Sequence, residues 1–250
     1  SPTVRPARNR WWRGMAATLA LITLLSAGWL TFRESILYQT HGTGYGEVRA
    51  LMLPDGSRVT LNANSSLRLP RFGFGAGIRE VFLAGEAEFS VRHTPTHQPF
   101  VVRTPSQLSV EVLGTRFVVY ARQRGSKVAL QSGRVRVIND RHSLTIAPGD
   151  VVTMNPAGVL QKRERQPLAP YTAWKDQQFV FERTSLAEVA YLIEERFGVR
   201  VALADTSLTK RSISGTFEAR DVEEILDMLA DVSGLRVQKD ADSYVLKSDE

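Results

Sequence analysis

Short runs of alternating apolar and polar residues fill the stretch between residues 45 and 160, and they constrain the fold more than any other feature. An alternation of period two places every second side chain on the same face of a β-strand. Nine such runs are bounded by turn residues, with no convincing helical pattern between them. Their apolar pairs are Val59/Leu61, Leu67/Leu69, Val81/Leu83, Phe89/Val91, Val110/Val112, Phe117/Val119, Val128/Leu130, Val135/Val137 and Leu144/Ile146. The spacing predicts an all-β unit and is compatible with a sandwich, a barrel or a solenoid.

A run of 19 residues without a charge, residues 14–32, precedes the β unit. As a helix it would be about 28 Å long, which is just enough to cross a bilayer. Four arginines lie before it in residues 1–13, and one basic and one acidic residue directly follow it. The positive-inside rule therefore predicts a cytoplasmic N-terminus and an exported chain from residue 33 onward. A cleaved signal peptide is the alternative, because the small residues 26–28 follow an apolar run.

Composition and charge exclude several classes of protein. The 250 residues include no cysteine, which rules out thiol catalysis, disulfide frameworks and cysteine-bound zinc and fits an oxidising compartment. The net charge of +6 would favour nucleic acid as a partner if it were clustered, but it divides into +4 for residues 1–13, +8 for 33–170 and −6 for 171–250. The pattern indicates an arginine arm, a mildly basic middle and an acidic end.

Helical spacing begins after the proline-containing link at residues 166–170. One helix is predicted between Leu186 and Gly198, with Thr184 or Ser185 as its N-terminal cap. A second helix is predicted near residues 222–232, ending before Gly234.

The two halves of this C-terminal part repeat at an offset of 36 residues. The matching pairs are Phe181/Phe217, Leu186/Val222, Glu188/Glu224, Val189/Ile225, Ile193/Leu229, Gly198/Gly234, Arg200/Arg236 and Val201/Val237. Each half has the order strand, helix, strand, and neither half can bury its apolar face alone. We therefore predict one small α+β domain over residues 171–250.

Several segments of the β unit resemble the FecR family and follow one another in the same order as in that family. They are Leu53-Pro54-Asp55-Gly56-Ser57 with Val59-Thr60-Leu61-Asn62, Val81-Phe82-Leu83-Ala84-Gly85-Glu86-Ala87, Pro99-Phe100-Val101-Val102, Val112-Leu113-Gly114-Thr115-Arg116-Phe117-Val118-Val119, and Leu144 with Pro148-Gly149. Trp174-Lys175 before Phe179-Val180-Phe181 is similar to the end of FecR proteins. The signature positions are Pro54, Asp55, Gly56, Gly85, Glu86, Gly114, Thr115, Phe117, Pro148, Gly149 and Trp174.

The resemblance implies a fold that is mainly β plus a small α+β part. Its divisions would be a cytoplasmic juxtamembrane stub (1–13), a single transmembrane helix (14–32), a periplasmic, solenoid-like FecR-type β domain (33–165) and an α+β signalling domain (171–250). The repeat resembles the short domain at the front of secretins and TonB-dependent transducers. Such domains bind other domains, usually through strand edges.

The function implied by the resemblance is signal relay across the bacterial inner membrane. The expected partners are the signalling domain of a TonB-dependent outer-membrane transducer, an extracytoplasmic-function (ECF) sigma factor and membrane-associated proteases, and the expected stimulus is iron-siderophore uptake. The relay would act by conformational release or by stepwise proteolysis. Because the chain opens on Ser1, we expect it to be cut from a longer product whose N-terminal portion contacts the sigma factor. No nucleic acid contact and no cofactor are expected.

Most sequence motifs that are typical of enzymes are absent from this sequence. It contains no Walker loop, no Gly-x-Ser-x-Gly elbow and no His-Glu-x-x-His motif, and the glycine triplets in residues 42–46 and 73–77 lack a strand-to-helix setting. His93 and His97 are four residues apart in a proline-broken stretch, which is weak support for a metal site. A hydrolase is therefore disfavoured. The main alternative to a relay protein is a periplasmic module that binds glycan or cell-wall material.

Two places could carry chemistry. Glu86 and Glu88 are predicted to lie on one face of a strand, where a glycosidase pair is a weak second interpretation. At Gly114-Thr115 the threonine hydroxyl could attack the preceding carbonyl to form an ester that water then cleaves, and some FecR-type regulators break at this dipeptide. Alternatively, Gly114 lets a strand bend and Thr115 packs normally.

Overall fold

The structure is a computed structural model that describes residues 10–241 and 243–248. Its first element is helix α1, Arg10–Leu37. Within the described residues, no helix combines the length and the apolarity that crossing a membrane requires. The predicted span 14–32 lies inside α1, and residues 1–9 of the predicted stub lie outside the described part of the chain. Apolar side chains described in this span are exposed, namely Met15, Leu19, Leu21, Ile22 and Leu24.

The described residues that follow α1 form thirteen strands up to residue 163. They are β1 Tyr38–Gly42, β2 Arg49–Met52, β3 Arg58–Leu61, β4 Ser66–Pro70, β5 Arg79–Ser90, β6 Phe100–Arg103, β7 Ser109–Val112, β8 Arg116–Arg122, β9 Gly125–Ser132, β10 Val135–Ile138, β11 Ser143–Ile146, β12 Val151–Met154 and β13 Leu160–Arg163. We call this unit the β domain.

Strand β5 belongs to both layers of the β domain. Its first half pairs with β4 and β6 in the order β1-β4-β5-β6-β7-β10-β11, and its second half pairs with β3 and β8 in the order β2-β3-β5-β8-β9-β12-β13. The change of partners falls at Gly85, whose φ is +104°. A Cβ atom at this position would lie 2.4 Å from the hydroxyl oxygen of Ser65. Only glycine tolerates both this backbone angle and this contact, so Gly85 lets the sheet curl.

The inner faces of both layers enclose one apolar core, in which the rings of Phe89 and Phe117 stack at 5.2 Å. The predicted all-β class is confirmed, but the solenoid-like arrangement is corrected to a curled half-barrel sheet. In a solenoid, strands of successive coils pair in parallel. Here hairpins dominate, and among the described strands of the β domain only β5 and β6 pair in parallel.

The C-terminal unit begins at the end of the link, because its first helix includes the last two residues of the link. Its elements are helix α2 Ala169–Thr172, a 3-10 turn Ala173–Asp176, β14 Gln178–Ser185, helix α3 Leu186–Phe197, β15 Arg200–Leu203, a 3-10 turn Thr206–Lys210, β16 Ser212–Glu218, helix α4 Val222–Ser233, β17 Leu235–Asp240 and β18 Ser243–Ser248. Strands β14 and β16 pair antiparallel, and β18 lies between β15 and β17. Their apolar faces and those of α3 and α4 form a second core.

Helices α3 and α4 begin 36 residues apart and have 12 residues each, as the repeat predicts. The side chains of Ser185 and Asp221 cap their N-termini by accepting a backbone N–H from the third helical residue. Gly198 and Gly234 end them in the left-handed conformation. The two helices are therefore equivalent in sequence and in local structure.

Candidate functional site

The outward face of β5, β8 and β9 carries polar and aromatic side chains in register. Glu86 lies opposite Tyr120, and Tyr120 lies opposite Lys127 on the next strand. Glu88 lies two residues further along β5, and the residues on either side of it point into the core. Both glutamates therefore share the outward face, as the alternation predicts. The C-terminal unit and its link lie on this face, and we call the contact the junction.

The apolar part of the junction is a small cluster on the same outward face. Val118, Ala129 and Val151 are buried although they point away from the main core, because Leu168 of the link and Tyr171 of α2 pack on them. Burial of apolar area holds the link against the β domain.

The polar part of the junction is centred on Glu195 of α3. Its carboxylate oxygens accept hydrogen bonds from the Tyr120 hydroxyl at 2.9 and 3.0 Å and from the Tyr191 hydroxyl. The Arg122 Nε lies 3.5 Å from the same carboxylate, and both side chains are mostly buried. The carboxylate therefore joins α3 to strand β8 through a phenol and a guanidinium.

Arg124 forms a second bridge, at the edge of the junction. Its guanidinium lies 3.2 Å from the Glu188 carboxylate and 3.9 Å from the centre of the Tyr191 ring. The ion pair is exposed and contributes little by itself, whereas stacking over an aromatic ring orients the guanidinium.

Glu88 is the attachment point of the 3-10 turn Ala173–Asp176 on the β domain. Lys175 donates to one carboxylate oxygen, Gln131 donates to the same oxygen at 2.7 Å, and Arg116 donates to the other at 3.0 Å. Burial alone would raise the pKa of Glu88, but these hydrogen bonds outweigh it and hold the pKa below its ordinary value. Glu88 is therefore a charged anchor with its oxygens already engaged.

The pKa of Glu86 is shifted in the opposite direction from that of Glu88. Burial raises its pKa to about 7, against the lowering effects of the Asn62 hydrogen bond at 2.7 Å and of the nearby Arg122 and Lys127. The Glu195 carboxylate adds to the rise. Glu86 is therefore the group in the junction that exchanges a proton near neutral pH.

A cavity of about 230 Å³ lies beside Glu86, between the β domain, the link and α3. Its walls include the rings of Tyr171, Trp174 and Phe179. Arg196 also lines it, with its guanidinium 4.5 Å from the centre of the Phe179 ring, and burial lowers the pKa of this arginine. Charged groups and aromatic rings thus meet at low solvent exposure, where electrostatic contacts are strong.

The end of α3 is also fastened to the β domain. The backbone N–H of Gly46 donates to the Arg196 carbonyl at 2.7 Å, and a Cβ atom at Gly198 would lie 2.5 Å from the Tyr45 ring. At Gly234, the equivalent position of α4, such an atom would have no described neighbour within 4 Å.

We expect Gly198→Ala to destabilise the chain by about 2 kcal/mol and Gly234→Ala by about 1 kcal/mol. Both variants place alanine in the left-handed region, which costs about 1 kcal/mol, but only the first also displaces the Tyr45 ring. Chemical denaturation of the two variants measures the difference. Equal losses would mean that the Tyr45 contact contributes nothing to docking.

Two family matches cover both sides of the junction. Residues 39–136 match the family described as FecR protein, and residues 178–246 match the family described as FecR, C-terminal. The chain belongs to the FecR family. The β5–β8–β9 face lies in the first match, and helix α3 lies in the second.

Solved structures agree with this FecR assignment. Two crystal structures of a candidate anti-sigma factor from Parabacteroides distasonis ATCC 8503, at 2.50 and 1.65 Å, are each 29% identical to this chain. They cover 85% and 84% of it and 99% of their own chains, with TM-scores of 0.73 and 0.74. No curated protein matches the chain. The anti-sigma family implies signal relay to a sigma factor by a protein that is generally not an enzyme.

The first FecR signature residues build a turn that is anchored by a buried ion pair. The Asp55 carboxylate accepts hydrogen bonds from the backbone and hydroxyl of Ser57 and from the guanidinium of Arg79, which is fully buried. Pro54 precedes this turn, and Gly56 has a φ of +81°. These residues hold the turn between β2 and β3 and lie outside the junction.

Packing and hydrogen bonding also give Gly114 and Thr115 a structural role. A Cβ atom at Gly114 would lie 2.6 Å from the His93 side chain, and the Thr115 hydroxyl donates to the Arg134 carbonyl at 3.0 Å. Close packing and a satisfied hydroxyl account for this residue pair without chemistry. Self-cleavage at this dipeptide stays a prediction from the sequence.

The remaining signature residues lie in three places. Phe117 is in the core, and the turn at Pro148-Gly149 is held by the Gly149 N–H donating to the Leu130 carbonyl at 2.9 Å. Trp174 is buried at the junction, where its ring nitrogen donates to the Tyr171 carbonyl at 2.9 Å. Of the signature residues predicted, Glu86 and Trp174 are the ones that the structure brings together at the cavity.

His93 and His97 lie close together on the surface, with their ring nitrogens 3.2 Å apart. Within the described residues, no group of three or more potential ligands could hold a metal ion.

Sequence reasoning missed most of the junction. Four of its polar residues, Tyr120, Arg122, Tyr191 and Glu195, belong to no motif. One signal was available, because Tyr191 and Glu195 are four residues apart on a helix that also needs an apolar face.

Proposed function

We propose that this FecR-family protein relays the state of a periplasmic partner, bound by its C-terminal unit, across the inner membrane to an ECF sigma factor. The partner we propose is the signalling domain of a TonB-dependent outer-membrane receptor, and the regulated genes serve iron-siderophore uptake. The observation that carries the proposal is the asymmetry of the repeat, in which α3 is docked on the β domain while α4 has an exposed face.

The exposed surface of the C-terminal unit suits a protein partner. Helix α4 carries exposed carboxylates at Glu223, Glu224, Asp227 and Asp231, in a unit with a net charge of −6. Within the described residues, β16 pairs with no strand but β14, so its second edge is open to strand addition. A partner can therefore bind without first displacing α3.

The junction supplies a means of relay. A partner that strains the C-terminal unit acts on the junction, where a small apolar cluster and a few mostly buried charges hold the unit. A partner that binds the undocked state more tightly than the docked state would shift the population toward the undocked state. The state of the junction would then reach β1, the strand that directly follows α1.

We further propose that α1 anchors the protein in the inner membrane with its N-terminus in the cytoplasm. The uncharged residues 14–32 and the exposed apolar side chains of α1 support its insertion into the membrane. The arginines before this stretch support the orientation. The sigma factor would bind a portion on the cytoplasmic side, and membrane-associated proteases are the further partners that the family implies.

A pull-down with the receptor's isolated signalling domain tests the proposal. We expect the full chain in detergent to bind, and Asp231→Arg to weaken binding by about tenfold, because reversing an exposed charge at an interface costs roughly 1–2 kcal/mol. Asp140→Arg, an equal reversal on the exposed surface of the β domain, should leave binding unchanged.

Absence of any binding would contradict the proposal. Retention of the chain on cell-wall material in its place would favour the alternative, a glycan-binding module.

A further inference from the structure

The loop between β4 and β5, residues 71–78, exposes large apolar side chains. Phe72 is 69% exposed and Ile78 is 60% exposed. Phe74, between them, packs inward with its ring centre 6.3 Å from that of Phe100. The loop is therefore held on the core by one ring while two apolar side chains face outward. Large apolar groups at such exposure commonly mark contact surfaces.

The loop is tied to the end of α1. Strand β1 continues directly from α1 and pairs with β4, so that Tyr38 lies opposite Pro70. The backbone N–H of Arg71 then donates to the Leu37 carbonyl at 2.7 Å. The first residue of the loop is thus hydrogen-bonded to the last residue of the helix.

The length of α1 places this loop at a definite depth. The predicted membrane span ends at residue 32, and Leu37 lies five residues further, which is about 7.5 Å along a helix. The headgroup layer on each side of a bilayer is roughly 5–7 Å deep. If residues 14–32 span the hydrocarbon core, the loop meets the bilayer at the level of the headgroups.

The charges around the loop suit the same surface. Arg71, the first residue of the loop, is exposed, and its guanidinium is 3.4 Å from the carbonyls of Ser35 and Tyr38. Arg33 is exposed near the end of α1, where the carboxylate of Glu34 is paired with Arg68. Each arginine near an anionic bilayer contributes about 1 kcal/mol. Exposed aromatic and aliphatic side chains next to arginines are typical of segments that lie in a membrane interface.

We propose that loop 71–78 is a second membrane contact, in which Phe72 and Ile78 insert into the surface of an anionic phospholipid bilayer beside α1. The proposal rests on the membrane anchoring of α1 given above. Attachment at two points would fix the tilt of the β domain on the membrane. A change at the junction would then act on α1 through a domain that cannot rotate freely.

The absence of cysteine allows a direct test with single labels. Full-length Phe72→Cys, Ile22→Cys and Val232→Cys variants would each carry a polarity-sensitive fluorophore in vesicles of phosphatidylglycerol and phosphatidylethanolamine. Ile22 lies within the predicted span, and Val232, 66% exposed on α4, is the control position. We expect a blue shift and quenching by shallow lipid-borne nitroxides at position 72, quenching by deep nitroxides at position 22, and neither effect at position 232.

The outcomes separate this proposal from the anchor. An aqueous spectrum at position 72 with deep quenching at position 22 would overturn the loop contact and leave the anchor in place. Aqueous spectra at both positions would contradict the anchor itself. Protection from a soluble quencher at position 72 without quenching by lipid nitroxides would assign the loop to a protein occupant and overturn the lipid proposal.

Discussion

Glu195→Ala is expected to release the C-terminal unit from the β domain, whereas Asp231→Ala leaves it docked. The two residues occupy equivalent positions of α3 and α4, so any difference in helix propensity cancels to first order. Glu195 holds the Tyr120 hydroxyl and lies beside Arg122, and its loss leaves a mostly buried guanidinium without its carboxylate. Removing one partner of such a network costs about 2–4 kcal/mol.

Limited proteolysis of the link at residues 166–170 measures this release. Faster cleavage of Glu195→Ala than of the parent chain and of Asp231→Ala is the expected pattern, because undocking frees Leu168 and Tyr171 from the β domain and lets the link unfold locally into a protease site. Glu195→Gln should be intermediate, since an amide oxygen still accepts from the tyrosines but does not pair with Arg122. Cleavage of Glu195→Ala at the rate of the parent chain would show that docking does not depend on this carboxylate.

Glu86 and Glu88 of β5 are expected to give opposite pH responses. The pKa of Glu86 is raised from 4.5 to about 7 in the folded state. Between these two pH values the folded protein therefore keeps a proton on Glu86 that the unfolded chain has released. Its contribution is full below pH 4.5 and is lost as the pH rises through 7, a change of about 3 kcal/mol. The pKa of Glu88 is lowered, so its contribution is present at neutral pH and is lost on acidification below its ordinary pKa.

Denaturation at several pH values separates these effects. Glu86→Gln should flatten the loss of stability between pH 5 and pH 8 and be more stable than the parent chain at pH 8, by about 2 kcal/mol. Glu88→Gln should be less stable than the parent at pH 7 by about 1–3 kcal/mol, because Lys175 loses its charged partner. An unchanged pH profile in Glu86→Gln would show that this residue does not titrate in the assigned range.

Local patterns predicted the elements of this protein well. The alternation in runs such as Val59/Leu61 and Phe117/Val119 marks strands because one face is buried in a single core. Ser185 and Gly198 mark the ends of α3 because capping and the left-handed conformation depend on neighbouring residues alone. The 36-residue repeat predicted two helices at equivalent positions of its two halves.

The arrangement of the strands could not be predicted in this way. Spacing is the same for strands that form a solenoid, a sandwich or a curled sheet, and the choice depends on which strands pair. The double use of β5 depends on a change of partners at Gly85, which is packed against Ser65, a residue 20 positions earlier in the sequence. The role of Glu86 and Glu88 was hidden for the same reason, since the groups that act on them lie on β8, β9, the 3-10 turn Ala173–Asp176 and α3.

By itself, the sequence determined the all-β middle, the paired helical repeat, the exclusion of thiol chemistry and the resemblance to the FecR family. These properties follow from periodicity, caps, composition and collinear motifs, all of which depend only on the order of the residues in the sequence. The tertiary structure alone decided that a carboxylate on α3 meets a tyrosine on β8, that two neighbouring glutamates have opposite pKa shifts, and that one helix of the repeat is docked while the other is exposed. Those outcomes depend on burial and on contacts between distant residues, and burial is settled only when the sheet has curled and the C-terminal unit has packed on it.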